Sequence, residues 1–341
     1  MRAAVFREAG QPLDIATVAD PSPAPDQVIL AVGAAGICGS DLHITQYPGF
    51  CAPGTILGHE FFGTVVAAGS DAGAWRPGAR VTALPVMPCR RCEACDQGLP
   101  SLCPSVLFIG TATAAPGAFA EFVAVRADQV QRVPDGVSDA EAAMIEPLAV
   151  GHHTASRAGL RRDDRVLILG GGPIGAAVAL FARAAGVASV IVSEPAEARR
   201  ERCRELGAHA VIDPSCEDVA ARFAALAGGR PSVVFECVGV PGMLAQAVRL
   251  AGLRARIVVA GVVFADDSFP PLEAMAREIS IHYSQAYEER DFAAVIDAVA
   301  AGRIDCRPMH TSTLSLADLP AAFEALRGNP AQCKVLIDPC L

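Results

Sequence analysis

The sequence predicts a two-domain α/β protein, with a β-rich, barrel-like first part followed by a doubly wound parallel sheet. Three observations carry that expectation. The chain has 341 residues, more than the roughly 250–300 that one hydrophobic core usually serves. Its composition, 52% hydrophobic with 31 Gly and only 5% aromatics, is that of a compact α/β protein rather than a disordered one. Its texture changes near residue 151, from short β-like runs broken by Gly and Pro to a repeating order of apolar strand, Gly-rich turn and Ala-rich helix.

In the first part, residues 28–32, 62–67 and 119–125 read as strands, with little helical periodicity around them. From 165 the order is strand 165–169, helix 174–185, strand 189–192, helix 196–206, strand 232–236, helix 242–250 and strand 255–260. Alternation of that kind implies βαβ units on a parallel sheet. After about 285, an amphipathic helix 291–301, a stop at Gly302 and a final strand 335–337 are unlike another such unit. This tail is expected to return to the first domain, giving one domain of residues 1–148 completed by 286–341 and a second of residues 149–285.

Charge and composition exclude several classes. A net charge of −9 argues against a nucleic-acid partner, which needs clustered Lys and Arg to displace counterions from phosphates. The opening MRAAVFREAG has no apolar leader, and the longest apolar run, 166–182, is interrupted by Gly170-Gly171-Gly172-Pro173. No membrane segment is therefore expected, and the expected location is the cytoplasm. Lys334 is the only lysine, whereas Schiff-base catalysis needs a placed amine. A Tyr-x-x-x-Lys dehydrogenase site is also absent, because Tyr47, Tyr283 and Tyr287 are followed at that distance by Cys51, Tyr287 and Asp291.

Twelve cysteines in a leaderless chain point to metal or reactivity rather than disulfides. Cys203, Cys216, Cys237, Cys306, Cys333 and Cys340 are scattered and read as small hydrophobes. Four others form Cys89-x-x-Cys92-x-x-Cys95-x7-Cys103. Tetrahedral zinc takes four soft ligands at about 2.3 Å, and four cysteines leave no open position for water, so this run predicts a structural zinc.

A second constellation is dispersed: Cys38 in GICGSDLH, His59 and Glu60 in GHE, and Glu146 in EPLAV. A catalytic zinc wants about three protein ligands and one open position. Cys38, His59 and one carboxylate, from Glu60 or Glu146, would supply them. Taken singly, Cys38 also reads as a core cysteine, His59 as a loop histidine and Glu146 as a helix N-terminal carboxylate before Pro147. Spacing alone does not join them.

The third motif is Gly170-x-Gly172-x-x-Gly175, directly after the strand RVLIL and opening, at Ile174, the helix IGAAVALFARAAG. The glycines permit a tight turn, close approach of backbone to a pyrophosphate and close helix packing, and the helix N-terminus receives negative charge. Glu194 closes the next strand, where an acid would bind ribose hydroxyls. An acid there repels the 2′-phosphate of NADP, so NAD is favoured. Arg199 and Arg200, on the following helix, are positioned to meet adenine or a phosphate.

These motifs together resemble the zinc-containing medium-chain alcohol dehydrogenases, in the branch holding sorbitol, threonine and 2,3-butanediol dehydrogenases. The likeness spans essentially the whole chain, through GICGSDLH, GHEFFGTVVAAG, MPCRRCEACDQGLPSLC, EPLAV, VLILGGGPIGAAVAL and SQAYEERDFAAVIDAVAAGRID. It implies a GroES-like catalytic domain with a Rossmann NAD-binding domain, and an active site in the cleft between them. It implies that Cys38, His59 and Glu60 hold the catalytic zinc, with Glu146 binding directly or through water, and that Ser40 and His43 relay a proton. The EPLAV carboxylate stands where other alcohol dehydrogenases place a second cysteine. The expected reaction is hydride transfer between NAD(H) and a secondary alcohol or vicinal diol, in a homodimer or homotetramer.

Ala286-Tyr287 stands where polyol dehydrogenases of the branch tend to carry Arg-Tyr, which argues against a hexitol. Tyr47, Phe50, Phe108 and Phe119 are candidate pocket residues. L-threonine or a polyol is the alternative substrate. A zinc-free reductase would lack the ligand set, and a non-catalytic NAD-binding zinc protein would keep the glycines and be free to lose the catalytic ligands; the ligand residues count against both.

Overall fold

A computed structural model describes residues 1–329 and 331–341. The chain divides into two compact units: Met1–Glu146 with Glu288–Ala300 and His310–Leu341, and Pro147–Tyr287 with Ala301–Met309. Residues 301–309 thus belong with the second unit rather than returning to the first. Arg202 explains the attachment, donating its Nε to the Pro308 carbonyl at 3.1 Å.

In chain order the first unit holds β1 (Arg2–Val5), β2 (Asp14–Thr17), β3 (Gln27–Gly36), α1 (Gly39–Ile44), β4 (Glu60–Ala68), β5 (Arg80–Ala83) and β6 (Val86–Met87). Then come α2 (Glu93–Asp96), β7 (Leu107–Phe108), β8 (Phe122–Arg126), β9 (Val130–Arg132) and α3 (Asp139–Ala143); α4 (Ile145–Arg157), which carries Glu146 in its first turn, belongs to the second unit from Pro147 onward. The second unit contains β10 (Arg165–Leu169), α5 (Pro173–Ala184), β11 (Ser189–Ser193), α6 (Glu197–Glu205), β12 (Ala210–Ile212), α7 (Val219–Ala227), β13 (Val233–Glu236), α8 (Met243–Leu250), β14 (Arg256–Val259), α9 (Pro271–Met275) and β15 (Ser280–Tyr283). The tail supplies α10 (Glu289–Ala300), β16 (His310–Ser315), α11 (Leu319–Leu326) and β17 (Lys334–Asp338).

The first unit is built on a seven-stranded sheet ordered β16, β17, β3, β4, β5, β9, with β8 also paired to β3. β3 is the organising strand. It pairs antiparallel with β4 from Val28↔Ala68 to Gly36↔Glu60, and with β17 at Gly36↔Leu336. That register brings the ends of three strands distant in sequence to one corner, which holds Gly36, Glu60 and Lys334. Burial of Leu30, Val32, Leu57, Phe61, Val123 and Ile337 closes the core around it.

The second unit is a six-stranded, wholly parallel sheet ordered β12, β11, β10, β13, β14, β15. Val166 to Leu169 in its central strand are all essentially inaccessible, as expected of a parallel strand covered on both faces. The chain order reverses direction between β10 and β13. Ligands in sheets of this kind bind beyond the carboxyl ends of the strands at that switch point.

Candidate active site and cofactor cradle

At the corner of the first unit, Cys38 ends the stretch leading from β3 into α1, His59 stands just before β4 and Glu60 opens it. One ligand atom from each of these three residues lies within 4.8 Å of the others. His59 and Glu60 are buried and Cys38 is half-buried. Glu146 is buried near them and contributes to the charge around Lys334, but it is not one of the three that converge.

Asp41, which the sequence reading passed over, is fully buried in α1. Its Oδ2 accepts the Cys38 amide at 3.2 Å, and its Oδ1 stands 3.3 Å from His59 Nδ1. Neither Oδ1 nor Nδ1 has a well-formed hydrogen bond, so the contact acts through charge and proximity. An acid behind a histidine fixes the ring and leaves the other nitrogen to face a ligand. Burial pulls the His59 pKa down, but the negative charges of Asp41 and Cys38 outweigh it and hold the imidazole well above its ordinary value. The site is therefore one that attracts a cation.

Ser40 Oγ lies 3.5 Å from His59 Nε2. Ser40 and His43 are both exposed and stand three residues apart on α1, hence on one face. Of the four aromatic pocket candidates, Phe119 is a core residue, fully buried among the sheet residues of the first unit. Tyr47 and Phe50 are exposed and pack edge to face at 6.3 Å.

The sulfurs of Cys89, Cys92, Cys95 and Cys103 also gather within 4.8 Å. Cys92 and Cys95 sulfurs stand 3.5 Å apart, and the Cys89 amide donates to the Cys103 sulfur at 3.3 Å. That amide draws the Cys103 pKa down to about 7. The Cys95 amide also pulls on Cys92, but burial and the three neighbouring thiols push its pKa up to about 12. Such crowding is relieved by a shared cation. All twelve cysteines are free of disulfides.

In the second unit a cavity of about 350 Å³ opens beyond β10, β11 and β13, lined among others by Gly170, Gly172, Glu194, Arg199 and Val238. A methyl group on Gly175 would collide with the Gly170 carbonyl, so this position must be glycine for the helix to seat. Gly172 differs, since a Cβ there would meet no protein atom within 4 Å. It lines the cavity and faces open space there. Pro173 starts α5 there with a fixed backbone and no N–H to satisfy, and Ile174 follows it.

Glu194 is 3% exposed and grips the Gly-rich turn. Its Oε2 accepts the Gly171 amide at 2.8 Å and its Oε1 the Ala196 amide at 2.9 Å. Arg199 is 3.9 Å from Glu194 Oε2 and lines the cavity. Arg200 does not. It is held by the Glu194 carbonyl at 2.9 Å and by Asp213 at 3.0 Å.

Comparisons with known proteins agree with this architecture. Residues 24–135 match the alcohol dehydrogenase GroES-like domain and residues 173–301 the zinc-binding dehydrogenase family. A 2-dehydro-3-deoxy-L-galactonate 5-dehydrogenase from Pseudoalteromonas atlantica is 36% identical over 93% of each chain. A zinc-binding dehydrogenase from Sinorhizobium meliloti, solved with NADP, superposes with a TM-score of 0.92 at 34% identity over 99% of each chain. An alcohol dehydrogenase from Escherichia coli, solved with NADH, gives 0.92 at 30% identity, again over 99% of each. The chain belongs to the zinc-containing medium-chain alcohol dehydrogenase family. It is an oxidoreductase acting on alcohol groups, with a GroES-like catalytic domain and a Rossmann domain. No helix among the described residues is long and apolar enough to cross a membrane.

Proposed function

We propose that the protein oxidises a secondary alcohol or vicinal diol to the ketone, with NAD as hydride acceptor, a catalytic zinc held by Cys38, His59 and Glu60, and a structural zinc held by Cys89, Cys92, Cys95 and Cys103. The observation that carries this reading is the convergence of a half-buried thiol with a buried imidazole and a buried carboxylate, in which Glu60 Oε2 has no hydrogen-bond partner. That donor set and orphaned oxygen fit a zinc ion with one position left open. Bare Gly172 and the Glu194 carboxylate at the cavity fit a dinucleotide. When bound, zinc supplies Lewis acidity of the kind that lowers the pKa of water from 15.7 to about 7, and the nicotinamide accepts the hydride.

The chain's own residues do the rest. Asp41 orients His59. Ser40 accepts the alcohol proton and passes it toward His43, which is exposed and can release it to solvent. Gly172 admits the pyrophosphate, Glu194 accepts the ribose hydroxyls and disfavours a 2′-phosphate, and Arg199 covers the adenine side. A polyhydroxy substrate is the second reading, favoured by the relative named for oxidation at carbon 5 of a deoxy sugar acid. Twelve cysteines, none of them in a disulfide, suit a cytoplasmic location.

Cys38→Ser tests the reading. Turnover across a panel of diols, polyols and sugar acids should fall at least a thousandfold, about 4 kcal/mol of barrier, with NADH binding by fluorescence nearly unchanged. Unaltered turnover in that variant would reject the zinc assignment.

A further inference from the structure

The catalytic corner contains a charge that the mechanism above does not use. Lys334, the only lysine in the chain, lies on β17 with 1% of its surface exposed, and its Nζ forms an ion pair with Glu60 Oε1. The Ile37 carbonyl lies 3.4 Å from the same nitrogen. Glu60 is itself fully buried, and its two oxygens differ in role: Oε1 is taken by the ammonium, while Oε2 has no hydrogen-bond partner. Gly36 shapes the other side, since a methyl group there would strike Oε2. A carboxylate held on one oxygen and given space at the other has little freedom to turn.

Lys334 is packed among the negative groups of Glu60, Cys38 and Glu146. The charges also balance around a bound dication. The Cys38 thiolate and the Glu60 carboxylate neutralise the metal, and the Glu146 carboxylate answers the Lys334 ammonium. In a site this dry an unbalanced charge is costly.

Building on the zinc site proposed above, we infer that Lys334 is a positioning residue that keeps Glu60 Oε1 off the metal, so that Glu60 binds through Oε2 alone and one coordination position stays open for the alcohol. A carboxylate freed from the ammonium can close on the metal through both oxygens, as carboxylates do on metals with room for them. The position vacated for substrate would then be filled by the protein.

Cobalt replacing zinc gives a readout independent of turnover, because tetrahedral cobalt(II) absorbs visible light far more strongly than five- or six-coordinate cobalt. In the wild-type holoenzyme, imidazole added from solution should enter the open position and shift the bands. In Lys334→Met the bands attributable to this site should weaken and imidazole should no longer shift them. Lys334→Arg, which keeps a cation on Glu60, should restore both. If Lys334→Met has the wild-type spectrum and the wild-type imidazole response, the inference is wrong while the zinc site stands. If wild-type protein takes up no metal at Cys38, His59 and Glu60, the zinc reading itself fails.

A second comparison does not depend on Lys334→Met folding. In the inference the lysine sets the metal's coordination only through Glu60, so once Glu60 is Gln it should no longer affect that coordination, although its charge, close to Cys38 and Glu146 as well, still acts on zinc affinity through space. Glu60→Gln and Glu60→Gln with Lys334→Met should therefore give the same cobalt spectrum and the same imidazole response. Different band intensities or a different imidazole response between them would show that Lys334 acts by another route and overturn the inference.

Discussion

Single residues divide into those a motif announces and those only the fold reveals. Glu194 is of the first kind, an acid at the end of the strand after a Gly-rich turn. The structure adds that both its oxygens already hold backbone amides, from Gly171 and Ala196, so the side chain also shapes the turn. Replacing it with Ser should weaken NAD and strengthen NADP, leaving Arg199 to meet the 2′-phosphate. The ratio of kcat/KM for the two cofactors should move by about 10–100-fold toward NADP, each tenfold being about 1.4 kcal/mol; a wild type that already prefers NADP would refute this. Because Glu194 also braces Gly171, some loss of affinity for both cofactors should accompany the change. Asp41 and Lys334 are of the second kind. Asp41 lay inside a quoted motif, but nothing in GICGSDLH says that its carboxylate turns back on His59. Lys334 lies 274 residues from Glu60, and only the pairing of β17 with β3 and of β3 with β4 joins them.

At the scale of elements, long apolar strands were legible, and very short or polar ones were not. RVLIL and its Gly-rich turn announced β10 and α5 because a strand covered on both faces must be continuously apolar. β12 has three residues and β15 reads SIHY at the edge of the sheet, and neither carries a period that rises above its surroundings. The strands are also tied at their amino ends by a device with no sequence signature. Asp164 accepts the Ser232 hydroxyl at 2.7 Å and the Arg161 amide at 2.7 Å, and it pairs with Arg256 on β14. Burial raises its pKa, but these donors together pull it below the ordinary carboxylate value. The sign follows: a depressed folded pKa means stability that is full above about pH 4 and is lost as pH falls through the lower folded value. Asp164→Asn should cost roughly 1–3 kcal/mol near neutral pH. In urea titrations the gap from wild type should narrow as the pH drops below about 4, and a gap that does not depend on pH would contradict this account.

The whole molecule is two units whose stabilities have different origins. The second rests on a continuous apolar sheet, whereas the segment 89–103 in the first has little core of its own and gathers instead around four sulfurs. Cys95→Ser should therefore reduce the zinc content from two ions per chain to one. A loss of about 2–3 kcal/mol, at roughly 2–4 °C per kcal/mol for a unit of this size, corresponds to a fall of about 5–10 °C in Tm. Elemental analysis and calorimetry check both figures, and two ions per chain in the variant would exclude the four-cysteine site. One further consequence comes from the burial of Lys334. A chain whose only lysine is buried at the start of a β-strand presents no lysine amine to solvent. Amine-directed dyes, cross-linkers and acetylating agents should therefore leave the lysine of the folded protein untouched, and label that does appear on it will report that the corner around Glu60 has opened.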